Sequence, residues 1–119
     1  MFLYRAFLVL SILTISLPAL AQTPQFFSTL PDIPVMLGLE EIAGETISFD
    51  KPQGRIIEIS ALTSQTPQAI LRFYKDSLPQ FGWVQISQKE FFRKDEYLVF
   101  DFSQVEQDGI VKIMIKPSL

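Results

Sequence analysis

One stretch of the sequence, Thr66 to Gly82 (TPQAILRFYKDSLPQFG), carries helical periodicity, and the segments after it alternate with a period of two. On a 3.6-residue wheel Ile70, Leu71, Phe73, Tyr74, Leu78 and Phe81 share one broad apolar face, with Arg72, Lys75 and Asp76 opposite. A lone amphipathic helix among strands must bury that face against a sheet. Thr66 and Pro67 mark its start, since the threonine oxygen can accept an unpaired backbone N–H and proline fits the first helical position. Pro79 lacks the N–H that would bond the Lys75 carbonyl, and Gly82 suits a left-handed closing position. A last, distorted turn over 79–81 is expected.

Strand signals stand on both sides of this helix. ETISFD (45–50) alternates, KPQG reads as a turn, and RIIEISALTS (55–64) places Ile57, Ile59 and Ala61 on one face. These two runs make a hairpin. After the helix come WVQISQ (83–88), EFFR (90–93), the turn KDE, YLVFDFS (97–103), the turn QDG and IVKIMIK (110–116). Asp108-Gly109 is a good tight-turn pair. The expected fold is α+β: an antiparallel sheet of about five strands in the order ββαβββ, with room for one more, and one helix on one face. The other face then carries Thr46, Glu58, Ser60, Tyr97, Val99, Asp101, Ile110 and Met114, half of them apolar.

Ahead of the sheet, residues 22–44 hold prolines at 24, 31 and 34, which bias their predecessors toward extended backbone. An irregular arm is expected there, and residues 45–119 are expected to form the α+β domain. The arm is apolar, with Phe26, Phe27, Leu30, Ile33, Val35, Met36, Leu37 and Leu39 close together. That makes it the natural cover for the second sheet face. Exposed, the same residues would be an aggregation hazard or a docking segment.

Residues 1–21 read as a secretory signal: Arg5, an apolar run from Ala6 to Leu17, Pro18, and Ala19-Leu20-Ala21 as a small-x-small cleavage site. The run is shorter than the roughly 20 residues of a spanning helix, so no membrane span is expected once it is cleaved near Ala21. Export to the periplasm or the medium follows. Removing 21 of 119 residues leaves 98, and a chain near that length buries about 65% of its unfolded surface. With no cysteine, neither a disulfide framework nor a lipid-anchored export signal is available. The core must hold the fold alone.

The ten Lys and Arg, less Arg5, against thirteen Asp and Glu leave the mature chain at −4. Nucleic acid is not an expected partner, because binding to it rests on clustered cations that neutralise phosphates. With neither His nor Cys, there is no Ser-His or Cys-His nucleophile, no imidazole base and no Cys/His zinc site. The acid pairs Glu40-Glu41 and Asp95-Glu96 read as solvated charges. QVEQDG supplies only Glu106 and Asp108 toward a calcium loop. The glycines stand singly, so no phosphate-cradling motif is present. No catalytic residue, metal ligand or cofactor is expected.

Two recognition surfaces remain to be weighed. Ile33, Val35, Met36 and Leu37 of the arm are candidate contacts for a protein partner or for self-association. As the alternative, Tyr74, Trp83 and Phe100 are candidates to line a small-ligand pocket, or the site of an unfamiliar enzyme, between helix and sheet. The aromatic set Trp83, Phe91, Phe92 and Tyr97 reads first as core packing.

The succession FSTLPDIPVMLGLEE, FDKPQGRIIEISA, ILRFYKDSLPQFGW and FFRKDEYLVFDF resembles a group of small exported bacterial proteins of unassigned function. In that group a signal peptide precedes an LP..P.M.GL arm, an FD.P.GRI hairpin and an FY...LP..GW helix end. The resemblance spans nearly all of the mature chain. It implies export, a bacterial source and a single α+β domain, and it implies no catalytic residue. The expected function is therefore that of an exported, non-enzymatic accessory or binding domain, engaging a protein partner in the bacterial envelope.

Overall fold

Helix α1 occupies Pro67–Ser77 in the computed structural model, which describes residues 11–16 and 25–118. Thr66 Oγ1 accepts from the Ala69 N–H at 3.1 Å, capping the helix as its sequence predicts. A 3₁₀ turn, Leu78–Phe81, absorbs Pro79. Gly82 then closes it at φ 87°, its N–H reaching the Leu78 and Pro79 carbonyls. Ile70, Tyr74 and Leu78 are buried in one line.

Strand β1 is Phe26–Phe27, β2 Leu30–Pro34, β3 Leu39–Glu41, β4 Ile47–Lys51, β5 Gly54–Thr63, β6 Val84–Gln85, β7 Glu90–Arg93, β8 Glu96–Asp101 and β9 Ile110–Pro117. A one-turn helix, α2 (Val105–Asp108), joins β8 to β9. The fold is α+β and its pairings are antiparallel. Strand order in the main sheet is β3-β5-β9-β8-β7-β6, with β4 beside β3 along the same side of β5. Thus β3 covers the end of β5, Leu39 opposite Thr63, while β4 covers its start, Lys51 opposite Gly54.

Among the described residues there are nine strands in two sheets, not about five in one. The difference lies mostly in the arm, which is not irregular. β1 and β2 form their own two-stranded sheet, and β3 joins the main one. Proline hides such strands from a periodicity reading, yet an edge strand tolerates it because one side of its backbone needs no partner. The alternation is also broken: Phe27, Leu30 and Ile33 are all buried, three residues apart, and the register shifts between Phe26 and Phe27. Two smaller departures sit at strand ends. The run expected over 83–88 is regular only at Val84–Gln85, and the expected QDG turn is the end of α2, closed by Gly109 at φ 63°.

The hydrophobic core lies on one face of the main sheet. Ile57 stands opposite Ile115, which stands opposite Leu98; Ile59, Ile113 and Phe100 form the next row. Helix α1 and the β1–β2 hairpin both cover this face. Phe27, Leu30 and Ile33 belong to the same buried cluster as Tyr74 and Phe100, and Phe26 meets Phe81 edge-on at 5.9 Å. Asp32 pairs with Arg93. The arm therefore shares the helix side of the sheet and does not cover the second face.

The segment read as a secretory signal lies outside the described residues except for 11–16, which carry no regular secondary structure. Among the described residues no helix is long and apolar enough to cross a membrane.

Candidate functional site: an open strand edge and its sheet face

Strand β4 forms because ISFDK alternates beside a two-residue turn, Pro52-Gln53, that folds it back on β5. All five of its residues are exposed. Its register decides which side faces outward: Ile47 lies opposite Glu58 and Phe49 opposite Ile56, on the face away from Ile57. Ile47 and Phe49 therefore stand on the second face, the one that the sequence pattern assigns to Thr46. They are 51% and 46% exposed. Among the described residues β4 pairs only with β5, so its other edge is open.

From this edge two rows run across the second face, which no described segment covers. One is Ile47, Glu58, Met114, Val99 and Glu90, neighbour to neighbour. The other begins with Phe49 and Ile56 and continues past Lys116 through Tyr97 and Phe92 to Val84. Phe92 and Tyr97 pack ring to ring at 5.2 Å. One ion pair lies on this face: Lys112 Nζ is 3.1 Å from Glu58 Oε1. Asp101 Oδ1 accepts from the Ser103 N–H at 2.9 Å. That bond, with smaller help from Lys112 and Lys89, holds the Asp101 carboxyl below the usual carboxylate range. Where β3 gives way to β4, a recess of about 460 Å³ opens beside Ile47, bordered also by Thr46, Ser60 and Ile110.

The sequence-derived candidates sit elsewhere. Tyr74, Trp83 and Phe100 are packed into the core between helix and sheet. All three are buried, with the Tyr74 and Phe100 rings 4.9 Å apart. Arg93 lies 4.3 Å over the Trp83 ring. Tyr74 donates to the Pro34 carbonyl at 2.8 Å, and burial raises its phenol above the ordinary tyrosine range. Of the arm candidates, Ile33 is buried and Val35 and Met36 pack against the core. Leu37 alone points to solvent, 81% exposed at a turn.

Glu96, read as a solvated turn charge, instead holds Arg55 through two bonds of 2.8 and 3.1 Å across the end of the sheet. Among the described residues no three acids gather within reach of one metal ion. Sequence reasoning missed Ile47 and Phe49 as surface residues because alternation separates two faces without saying which is covered. No protein-family model, curated protein or solved structure matches the chain.

Proposed function

We propose that the chain is an exported, non-enzymatic binding domain of the bacterial envelope that captures an extended segment of a protein partner on the open edge of β4. The observation that carries this reading is β4 itself, a five-residue edge strand exposed along its whole length with Ile47 and Phe49 uncovered. An unpaired strand edge offers backbone donors and acceptors to a partner strand, while side chains at alternate positions select it. The partner segment is apolar at every second residue, so that it rests on Ile47 and Phe49 and places one side chain in the adjoining recess. Export is supported by the signal-like first 21 residues. The absence of His and Cys from the sequence removes the commonest nucleophile and base pairs, which favours binding over catalysis.

A photo-crosslinking side chain at position 49, introduced in the native envelope, tests this. A discrete crosslinked partner is expected from position 49 and not from position 76 on the helix, and it disappears when Ser48→Pro breaks the edge. Labelling from position 76 equal to that from 49 would refute it, and so would a product made only of two copies of this chain, which would mean self-association.

A further inference from the structure

Away from β4, on the helix side of the molecule, three cations meet on one groove. Residues 67, 68, 71, 72 and 75 form a stripe along α1 because three- and four-residue steps return to the same side of a helix. That stripe, Pro67, Gln68, Leu71, Arg72 and Lys75, makes one wall, and Gln85, Gln88, Lys89 and Phe102 complete a groove of about 630 Å³. This lies within the roughly 300–1,000 Å³ of ordinary ligand sites. Its floor is apolar: Leu71 and Phe102 are half-buried against the core, and the Lys89 ammonium lies 5.8 Å over the Phe102 ring.

Arg72, Lys75 and Lys89 bring three positive charges to this groove, and no acid among the described residues lines it. Among the described residues the ion pairs join Arg55 to Glu96, Arg93 to Asp32 and Lys112 to Glu58, so the groove cations are not consumed by any of them. Three acids stand nearby. Asp76 follows Lys75 on the exposed side of the helix, Glu90 follows Lys89 but stands opposite Val99 on the other sheet face, and Asp101 lies within Coulombic reach of Lys89 but accepts from Ser103. In a chain of net charge −3, such a local excess of cations opposes the overall sign.

We infer that this groove binds an acidic peptide segment, with its carboxylates on Arg72, Lys75 and Lys89 and an apolar side chain between Leu71 and Phe102. Arg72 can grip a carboxylate with two parallel bonds, while the lysines act as point charges. Gln68, Gln85 and Gln88 offer both donors and acceptors, which suit the N–H and C=O groups of a peptide backbone. The site is separate from β4, and each stands or falls without the other.

The test is a titration of the ¹⁵N-labelled protein with an acetylated, amidated hexapeptide of alternating Glu and Leu. Two peptides of the same length, alternating Glu with Ser and Lys with Leu, and a thymidine hexanucleotide are run in parallel. Saturable shifts centred on Leu71, Arg72, Lys75, Lys89 and Phe102 are expected from the Glu-Leu peptide. Affinity should fall by about tenfold or more in the double variant Arg72→Glu, Lys75→Glu, and should be unchanged in Phe49→Asp. No saturable shift with the Glu-Leu peptide overturns the inference. Equal binding of the Glu-Ser peptide would reduce the groove to a diffuse charge, and tighter binding of the oligonucleotide would assign it to a phosphate backbone; either overturns it. The double variant's thermal transition, compared with the parent's, distinguishes lost binding from lost fold.

Discussion

Tyr74 and Pro34 are forty residues apart in sequence and joined by a 2.8 Å hydrogen bond in the core, the tyrosine hydroxyl donating to the proline carbonyl. Through that bond the N-terminal hairpin is fixed to the helix. The carbonyl of a β2 residue that is itself buried gains a partner which water cannot supply.

Tyr74→Phe is therefore expected to destabilise the domain by about 1–3 kcal/mol, the cost of leaving a buried acceptor unpaired. The ring stays, so packing against Phe73 and Phe100 is kept. Urea denaturation would show a lower midpoint with an unchanged slope. An unchanged midpoint would mean that the hairpin does not depend on this bond.

The same hydroxyl makes stability depend on alkaline pH. Burial raises the folded-state phenol above its ordinary value, which is about 10 in the unfolded chain. Its contribution is fully present below that value and is lost as pH rises above it toward the folded-state value, because the unfolded chain releases the proton first. Urea midpoints between about pH 9 and pH 11.5 should fall more steeply in the parent than in Tyr74→Phe.

Arg93 is a second fastening of the hairpin, this one to the sheet. Its guanidinium pairs with Asp32, donates to the Phe81 carbonyl at 2.9 Å and lies over Trp83. Arg93→Met keeps much of the stem but removes all three, and a loss of about 2 kcal/mol is expected. Trp83 is the only tryptophan, so its fluorescence reports the site directly. Emission should shift to the red in the variant as the indole gains access to water. Emission identical to the parent's would show that Arg93 does not shield the ring.

Two phenylalanines separate core from surface. Phe100 is buried between helix and sheet, whereas Phe49 is 46% exposed on β4. Phe100→Ala should cost about 3–5 kcal/mol, as large-to-small changes in a packed core do. Phe49→Asp should change stability by less than about 0.5 kcal/mol while abolishing capture of the partner strand. Thermal denaturation of the two variants, set beside crosslinking from position 47, checks both statements. A large stability loss in Phe49→Asp would make β4 a structural strand and not a docking edge.

The segments legible in the sequence are those whose signals are local. Thr66 and Pro67 start the helix, Pro79 and Gly82 end it, and KPQG turns β4 into β5, because capping bonds, a missing N–H and turn preferences act over a few residues. The alternation of β5, β8 and β9 likewise shows in the chain that one face of each is apolar. What tertiary structure decided is which faces meet. Leu30 and Ile33 sit three apart between prolines, and only docking beside Tyr74 makes a strand of them. That docking put the arm on the helix side, closed the space around Tyr74, Trp83 and Phe100, and left Ile47 and Phe49 at the surface. Periodicity separates two faces of a strand, but burial depends on chain segments tens of residues away, and no local pattern encodes their placement.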